Sequence, residues 1–469
     1  MIQKIKGINL TIFLIILFIG VYLRFYQINF EDYWFDEYSS FWVADPKISF
    51  SETLRRSYDL NFSSHLFFDL ILKYFFKFFG YEPSVGRYLP LIFGVLSIPT
   101  IVYLSYQLDK DRSYLLTAFL VSINWYLISY SQETRCYSLA FILAVLNLIF
   151  FFKIFDNHSK KNYWFINSIL FILFTFLGIA NHIFFFIIVL SQIIFLIIQF
   201  KFYKKNILFI FINIFLAIFL YFLFMHKFFL NQLSIKNFWI PQVEPEFFLS
   251  YFFPRFFGSK IMGYLYLLTL VYLIFKNKRK FFYGPSKHLL LLIILFMSYF
   301  LPVFYGFIFR PILVDRYIIF VLISILLIIS ICTWSLENKK IKKIVLLIII
   351  SFTLGNNYIE IFNRKHSKPE FNKTLNHLSI SDVDYIYIKA PKRTKELLTN
   401  YIQTTKSFKK NNFIILNRDE AITKNNLWQI CYQPRNNFDC SLDNKFEDFI
   451  LIKKVNFHLV EATLYSSNV

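Results

Sequence analysis

The sequence predicts an α-helical multispanning membrane protein with about eleven transmembrane helices, interfacial helices in its first outer loop and a small C-terminal extracytoplasmic α/β domain. Three observations carry that expectation. The 469 residues are 57% hydrophobic, with 64 phenylalanines and a mean hydropathy of +0.51, whereas soluble domains sit nearer half apolar and carry more charge. Many apolar runs approach the ~20 residues needed to cross a bilayer. Lys and Arg fall in every second connector, as expected of loops kept on the cytoplasmic side. The +21 net charge therefore has a membrane explanation, with anionic lipids as the partner, and no nucleic-acid partner is expected.

The candidate spans lie near 8–26, 88–108, 113–130, 138–155, 163–180, 183–200, 206–225, 261–275, 288–307, 317–334 and 344–361. Lys4 and Lys6 precede the first. Lys110 with Arg112, Lys160 with Lys161, and Lys201 with Lys204 and Lys205 mark later connectors. So do the run from Lys276 to Lys287 and the four lysines between Lys339 and Lys343. The intervening short connectors are poor in lysine. The expected topology puts the N-terminus in the cytoplasm, and the loops 27–87 and 226–260 and the tail on the other side of the cell (inner) membrane. The first apolar run is longer than a signal core and no small-residue cleavage site follows it, so it reads as an anchor.

The first loop, 27–87, opens with Asn29-Phe30-Glu31-Asp32-Tyr33-Trp34-Phe35-Asp36-Glu37-Tyr38. Trp and Tyr prefer the headgroup level. Four carboxylates among such rings are partly desolvated, so their proton affinity can be tuned. From Leu66 to Phe79 the spacing of Asp69, Lys73 and Lys77 puts charge on one helical face and rings on the other. Gly80 ends that helix, which is too short and too charged to span and so lies in the interface. A weaker surface helix is expected over 48–58.

Transmembrane residues 1–361 give way to a tail domain, 362–469, of different composition. Val383–Ile388, Phe413–Leu416, Leu427–Tyr432 and Phe449–Lys453 read as strands, and Lys392–Tyr401 as a helix after Pro391. The domain has no glycine-rich nucleotide fingerprint and no P-loop. Cys431 and Cys440 form a disulfide if the tail is extracytoplasmic, or stay as two thiols.

The polar residues that stand out lie on the outer side. Asp36 and Glu37 are in the first loop, His65 precedes the roof helix, and Arg87 opens the second span. Arg135 and Tyr137 lie in the Gln132–Tyr137 turn, His182 between two apolar runs, and Arg316 before the tenth span. Taken singly, each has an ordinary reading as solvated loop, hydrogen-bonded histidine or headgroup anchor. Together they suit one reaction. A sugar carried on a polyprenyl phosphate leaves an anionic phosphate, which guanidiniums hold and stabilise. A carboxylate takes the acceptor's proton as general base, giving inversion.

Phe35-Asp36-Glu37 after the first span resembles the first-loop acidic signature of the glycosyltransferase C superfamily. Within it, the dolichyl-phosphate-mannose–protein mannosyltransferase-like family, with the bacterial aminoarabinose transferases, is the branch it looks most like. Three further pieces match in order: His65–Gly80 with Gly86-Arg87-Tyr88-Leu89-Pro90, Tyr130-Ser131-Gln132-Glu133-Thr134-Arg135-Cys136-Tyr137-Ser138, and Asp315-Arg316-Tyr317. The resemblance implies that Asp36 is the catalytic base and Glu37 its neighbour. It implies that Arg135 and Arg316 contact the donor phosphate, joined by Arg87, His182, His65 and Tyr137. Ser64-His65 stands where the family has a Pro-Pro pair, so His65 adds a phosphate contact or, as in some relatives, a ligand to a divalent metal. No metal cluster is visible in the sequence and no cofactor is assigned. The loop 226–260 is too short for the lumenal insertion of the eukaryotic enzymes, which implies a bacterial-type enzyme.

The expected function is thus an inverting glycosyltransferase that moves a sugar from a polyprenyl-phosphate donor to an extracytoplasmic acceptor. Three rivals remain: an envelope oligosaccharide polymerase or ligase, whose arginines would sit in late loops; a lipid-linked sugar transporter or flippase, which would show repeated halves and midplane charges; and a structural membrane anchor for the tail, which leaves the clustered outer charges unexplained.

Overall fold

The computed structural model describes residues 7–60, 65–110, 113–156, 161–234, 240–242, 252–283, 286–379, 385–409, 413–422, 424–433, 439–440 and 449–467. Ser64, Val383, Asp384, parts of the 226–260 loop, and Lys4, Lys6, Arg112 and Lys160 of the basic connectors lie outside them. The chain forms two compact units. One comprises 1–26, 54–68 and 90–364; the other comprises 27–53, 69–89 and 365–469.

The first unit is helical. The expected spans fall in helical regions, though not one to one. Among the described residues, seven helices are by themselves long and apolar enough to cross a membrane, or eight if one bent pair is a single span. Phe215 and Phe307 are among the large side chains left exposed on these helices, as a lipid-facing surface requires. Helices Tyr137–Asp156 and Val321–Trp334 are buried along nearly their whole length and form the centre. The second of these is only 14 residues, about 21 Å, and follows a 3-10 turn at Asp315–Ile318. Irregular backbone at depth is tolerable there because protein, not lipid, surrounds it.

Three spans differ from their simplest expectation. The sixth and seventh form one helical stretch, Phe186–Ser234. A straight helix would put Phe186 and Tyr221 about 52 Å apart, yet their rings are 5.6 Å apart. The stretch therefore doubles back between its two apolar windows, Ile183–Lys201 and Ile207–Ser234. The third span breaks into Ser113–Ile123 and Trp125–Ser131, bent by 55°. Asn124 causes the break. Its side chain accepts from Leu127 N–H at 3.0 Å and starts the second piece, as an N-cap does. The carbonyls orphaned at the end of the first piece need other donors. Arg24, fully buried, donates to Val121 O at 3.1 Å, Ser122 O at 3.0 Å and Gly20 O at 2.9 Å. Asn357 takes the carbonyl of Ile123.

The second unit contains a five-stranded sheet of order β2-β1-β3-β5-β4, with β1 Tyr385–Lys389, β2 Ile414–Leu416, β3 Asn426–Tyr432, β4 Phe449–Phe457 and β5 Val460–Ser467. β1 pairs in parallel with β2 and β3; β5 is antiparallel to β3 and β4. A parallel neighbour requires a crossover, and helix Lys392–Thr404 lies in the β1–β2 connection. β3 is buried from Leu427 onward, which explains its unbroken apolar run; β5 was not expected from the sequence. Cys431 and Cys440 are joined by a disulfide. The surface helix expected over 48–58 runs Phe50–Asp59, and Gly80, at φ 104°, stops the helix Leu66–Phe79.

Candidate active site

The eight residues singled out by the sequence fall into two groups, one in each unit.

In the unit that carries the sheet, extended Trp34 leads into helix Phe35–Val43. Asp36 and Glu37 both lie in its first turn, where negative charge is favourable. Successive helical residues point about 100° apart, so the two carboxylates diverge. Glu37 is fully buried. It pairs with Arg87 Nε at 3.5 Å and Lys368 Nζ at 3.2 Å. Arg87 also donates to Ile28 O at 3.0 Å and lies over the Tyr33 ring at 5.2 Å. Asp36 is half-buried.

The two preceding carboxylates hold the chain. Glu31 accepts from Ser367 N–H at 2.9 Å and its hydroxyl at 2.8 Å, and from Lys368 N–H at 3.3 Å. Asp32 accepts from the amides of Asn372 and Lys373 at 2.8 and 3.4 Å, at the N-terminus of helix Phe371–Leu378. Burial raises the Asp32 carboxyl above its ordinary range, against the lowering effect of those amides and of Arg87. Of the four acidic residues, Glu31, Asp32 and Glu37 thus tether the segment.

In the helical unit, the Gln132–Tyr137 turn is fixed by Gln132, which donates to Arg24 O at 3.0 Å and Tyr26 O at 2.8 Å and accepts from Arg364 at 2.9 Å. Around this turn five expected residues come together. The His65 ring is 5.1 Å from His182 and 6.1 Å from Tyr137, with its Nδ1 3.0 Å from Cys136 Sγ. His182 is 6.0 Å from Tyr137 and 5.0 Å from Tyr317. The Arg316 guanidinium lies over the Tyr317 ring at 5.6 Å. Arg135, His65, His182 and Tyr137 are buried.

The electrostatics of this cluster are one-sided. Burial, then the positive charges of Arg135 and Arg316, push His182 down to about 3. Burial, Arg135 and His182 push His65 well below its usual value. Both imidazoles are neutral at neutral pH. His182 Nδ1 accepts from Phe184 N–H at 3.2 Å, so its proton is on Nε2. Among the described residues, that buried Nε2 and the buried Tyr137 hydroxyl have no hydrogen-bond partner. Two neutral donors and two guanidiniums in one neighbourhood are groups of the kind that can hydrogen-bond an anion. Among the described residues, no group of three or more His, Cys, Asp or Glu side chains is placed to hold a metal ion.

No family model and no curated protein matches the chain. Solved structures do. ArnT from Cupriavidus metallidurans in its apo state superposes with TM-score 0.60 at 9% identity, over 91% of this chain and 92% of that one. The same protein bound to undecaprenyl phosphate gives 0.58 at 9% identity, over 97% of each chain. The oligosaccharyltransferase AglB from Archaeoglobus fulgidus, in complex with an inhibitory peptide and a dolichol-phosphate, gives 0.54 at 12% identity over 85% of this chain and 60% of that one.

The chain has the fold of ArnT.

The long apolar helices fit a multi-pass membrane protein, and the resemblance seen in the sequence is met at the level of the fold. Within this fold, sequence reasoning missed Arg24, Gln132 and Lys368. Arg24 had a signal, being a charge at the end of an apolar run. Gln132 was visible only as part of the turn. Lys368, one of many tail lysines, had none.

Proposed function

We propose that the chain is an inverting glycosyltransferase that moves a sugar from a polyprenyl-phosphate donor to an extracytoplasmic acceptor. The observation that carries the reading is the pair of buried, unpartnered donors, His182 Nε2–H and Tyr137 O–H, beside Arg135 and Arg316. Such a set is costly without an anionic guest. The shared fold supports the same chemistry, since ArnT and AglB are seen with undecaprenyl phosphate and dolichol-phosphate.

In this reading the acceptor hydroxyl attacks C1 of the sugar and passes its proton to Asp36. The bond from C1 to the phosphate oxygen breaks, and its electron pair leaves with the prenyl phosphate. Arg135 and Arg316 meet the growing charge, with His182, Tyr137 and His65 completing the contacts. One direct displacement inverts the anomeric centre. Glu37, held by Arg87 and Lys368, fixes the helix that carries Asp36. We place Arg87 with Glu37 in this role. The acceptor is a lipid, glycan or protein.

The reading also places the N-terminus in the cytoplasm, eleven crossings in the inner membrane and residues 362–469 outside. The Cys431–Cys440 disulfide supports an oxidising location for the tail. The test is transfer by purified protein from a synthetic prenyl-phosphate sugar. Arg135→Ala and Arg316→Ala should each raise the donor KM, and an unchanged donor response in both would remove them from the site.

A further inference from the structure

The sheet-bearing unit encloses a second feature, a cleft of about 380 Å³. That is the size of small-molecule sites, which run from roughly 300 to 1,000 Å³. Asp36 is not among its lining residues. Glu31 and Asp32 line it, but Glu31 is engaged by Ser367 and Lys368, and one oxygen of Asp32 by the amides of residues 372 and 373. Glu82, with one oxygen near Lys406 N–H at 3.3 Å, and exposed Asn376 add acceptor and amide groups at the wall.

Two lining side chains point to a guest. Arg87 is 3% exposed and Thr405 2% exposed. Arg87 spends Nε on Glu37 and Nη1 on Ile28 O, yet its buried Nη2 has no hydrogen-bond partner among the described residues, and neither has Thr405 Oγ1. Buried polar atoms are normally satisfied. The faces of Tyr401 and Phe408 supply apolar wall. The guest must therefore accept from a guanidinium, bond to a hydroxyl, donate to carboxylates and lie against rings. An anion would face Asp32 and Glu82, and a simple cation would face Arg87. A ring carrying several hydroxyls, each both donor and acceptor, satisfies all of them.

We propose that this cleft is a binding site for a neutral, hydroxyl-rich glycan residue. Joined to the transferase reading, it makes the acceptor a glycan held through a unit other than the one that reacts at Asp36. The binding itself does not depend on that reading, because it needs no donor.

The experiment uses the purified full chain without any prenyl-phosphate sugar. Saturation-transfer NMR is recorded with methyl glycosides of glucose, galactose, mannose and N-acetylglucosamine, and with glucosamine and glucuronate as charged probes. At least one neutral glycoside should bind. Thr405→Val should weaken it about five-fold, the value of one lost hydrogen bond. Ser84→Trp, at an exposed rim position, should block the mouth and abolish the signal while the melting temperature stays unchanged. No signal from any neutral glycoside at tens of millimolar overturns the proposal. So does a signal unaltered in both variants, or binding of glucosamine or glucuronate alone. Loss of transfer with intact glycan binding, or the reverse, separates this inference from the proposed reaction.

Discussion

His182 Nδ1 accepts the Phe184 amide proton at 3.2 Å, and this one bond sets the tautomer of a ring that stays neutral beside two arginines. The imidazole is thereby fixed as a donor through Nε2. His182→Phe keeps a ring of similar shape and removes that donor. Its donor KM should rise about ten-fold, the effect of a hydrogen bond to a charged group, with little change in kcat. Steady-state kinetics against donor concentration checks this; an unchanged KM would mean that Nε2 does not meet the phosphate.

The same neutrality gives a pH dependence of stability. The unfolded imidazoles titrate near 6.5, whereas His182 takes its proton at about 3 in the folded chain and His65 well below its usual value. Between pH 6.5 and those lower values the unfolded chain binds more protons, so folding is weakened as pH falls. Their contribution is complete above pH 6.5 and declines below it by about 1.4 kcal/mol per pH unit for each ring once below that point. Thermal unfolding from pH 7.5 to 5.5 should show a falling melting temperature, and the slope should flatten in His65→Phe/His182→Phe. Equal slopes in both proteins would contradict the assignment.

Arg24 is a structural charge. It serves Val121 O and Ser122 O at the break of the third span. Arg24→Leu leaves those buried carbonyls orphaned, at about 1–3 kcal/mol each. The variant should melt several degrees lower while the folded fraction keeps its donor KM. A normal melting temperature, or a changed KM at normal stability, would argue against this role.

Glu37 is a buried anion balanced by Arg87 and Lys368. Lys368→Met still leaves the Glu37–Arg87 pair, whereas also removing the carboxylate leaves the buried Arg87 guanidinium uncompensated, at about 3–5 kcal/mol. Lys368→Met should therefore be more stable than Lys368→Met/Glu37→Gln. Melting temperatures of the two decide it; a double variant as stable as the single would show that Glu37 and Arg87 are not coupled.

The fold was legible where physics is local. Apolar run length marked the helical regions, Gly80 marked a helix end, and the buried β3 stood out as Leu427–Tyr432. The break at Asn124 was not legible. It needs Arg24, about a hundred residues away, to satisfy the freed carbonyls, and periodicity carries no information about such a partner. The doubling-back was expected as two spans joined at Lys201–Lys205, but not that the connector stays helical within Phe186–Ser234. In the site, Arg135, Arg316, His65 and Tyr137 were named from local motifs and His182 from its place at a turn between two apolar runs, and all five lie together in the helical unit. Glu37 was named beside Asp36 as one acidic pair. The helical twist of about 100° per residue separates their roles, burying one between two cations and leaving the other half-open.

Asp36 is the residue on which the proposed reaction turns. The most direct measurement is single-turnover transfer by purified Asp36→Asn, with donor binding measured on the same sample. The account predicts a loss of about 10²–10⁴-fold, the contribution of a general base, with donor affinity unchanged. Turnover within a few-fold of the parent protein would contradict it.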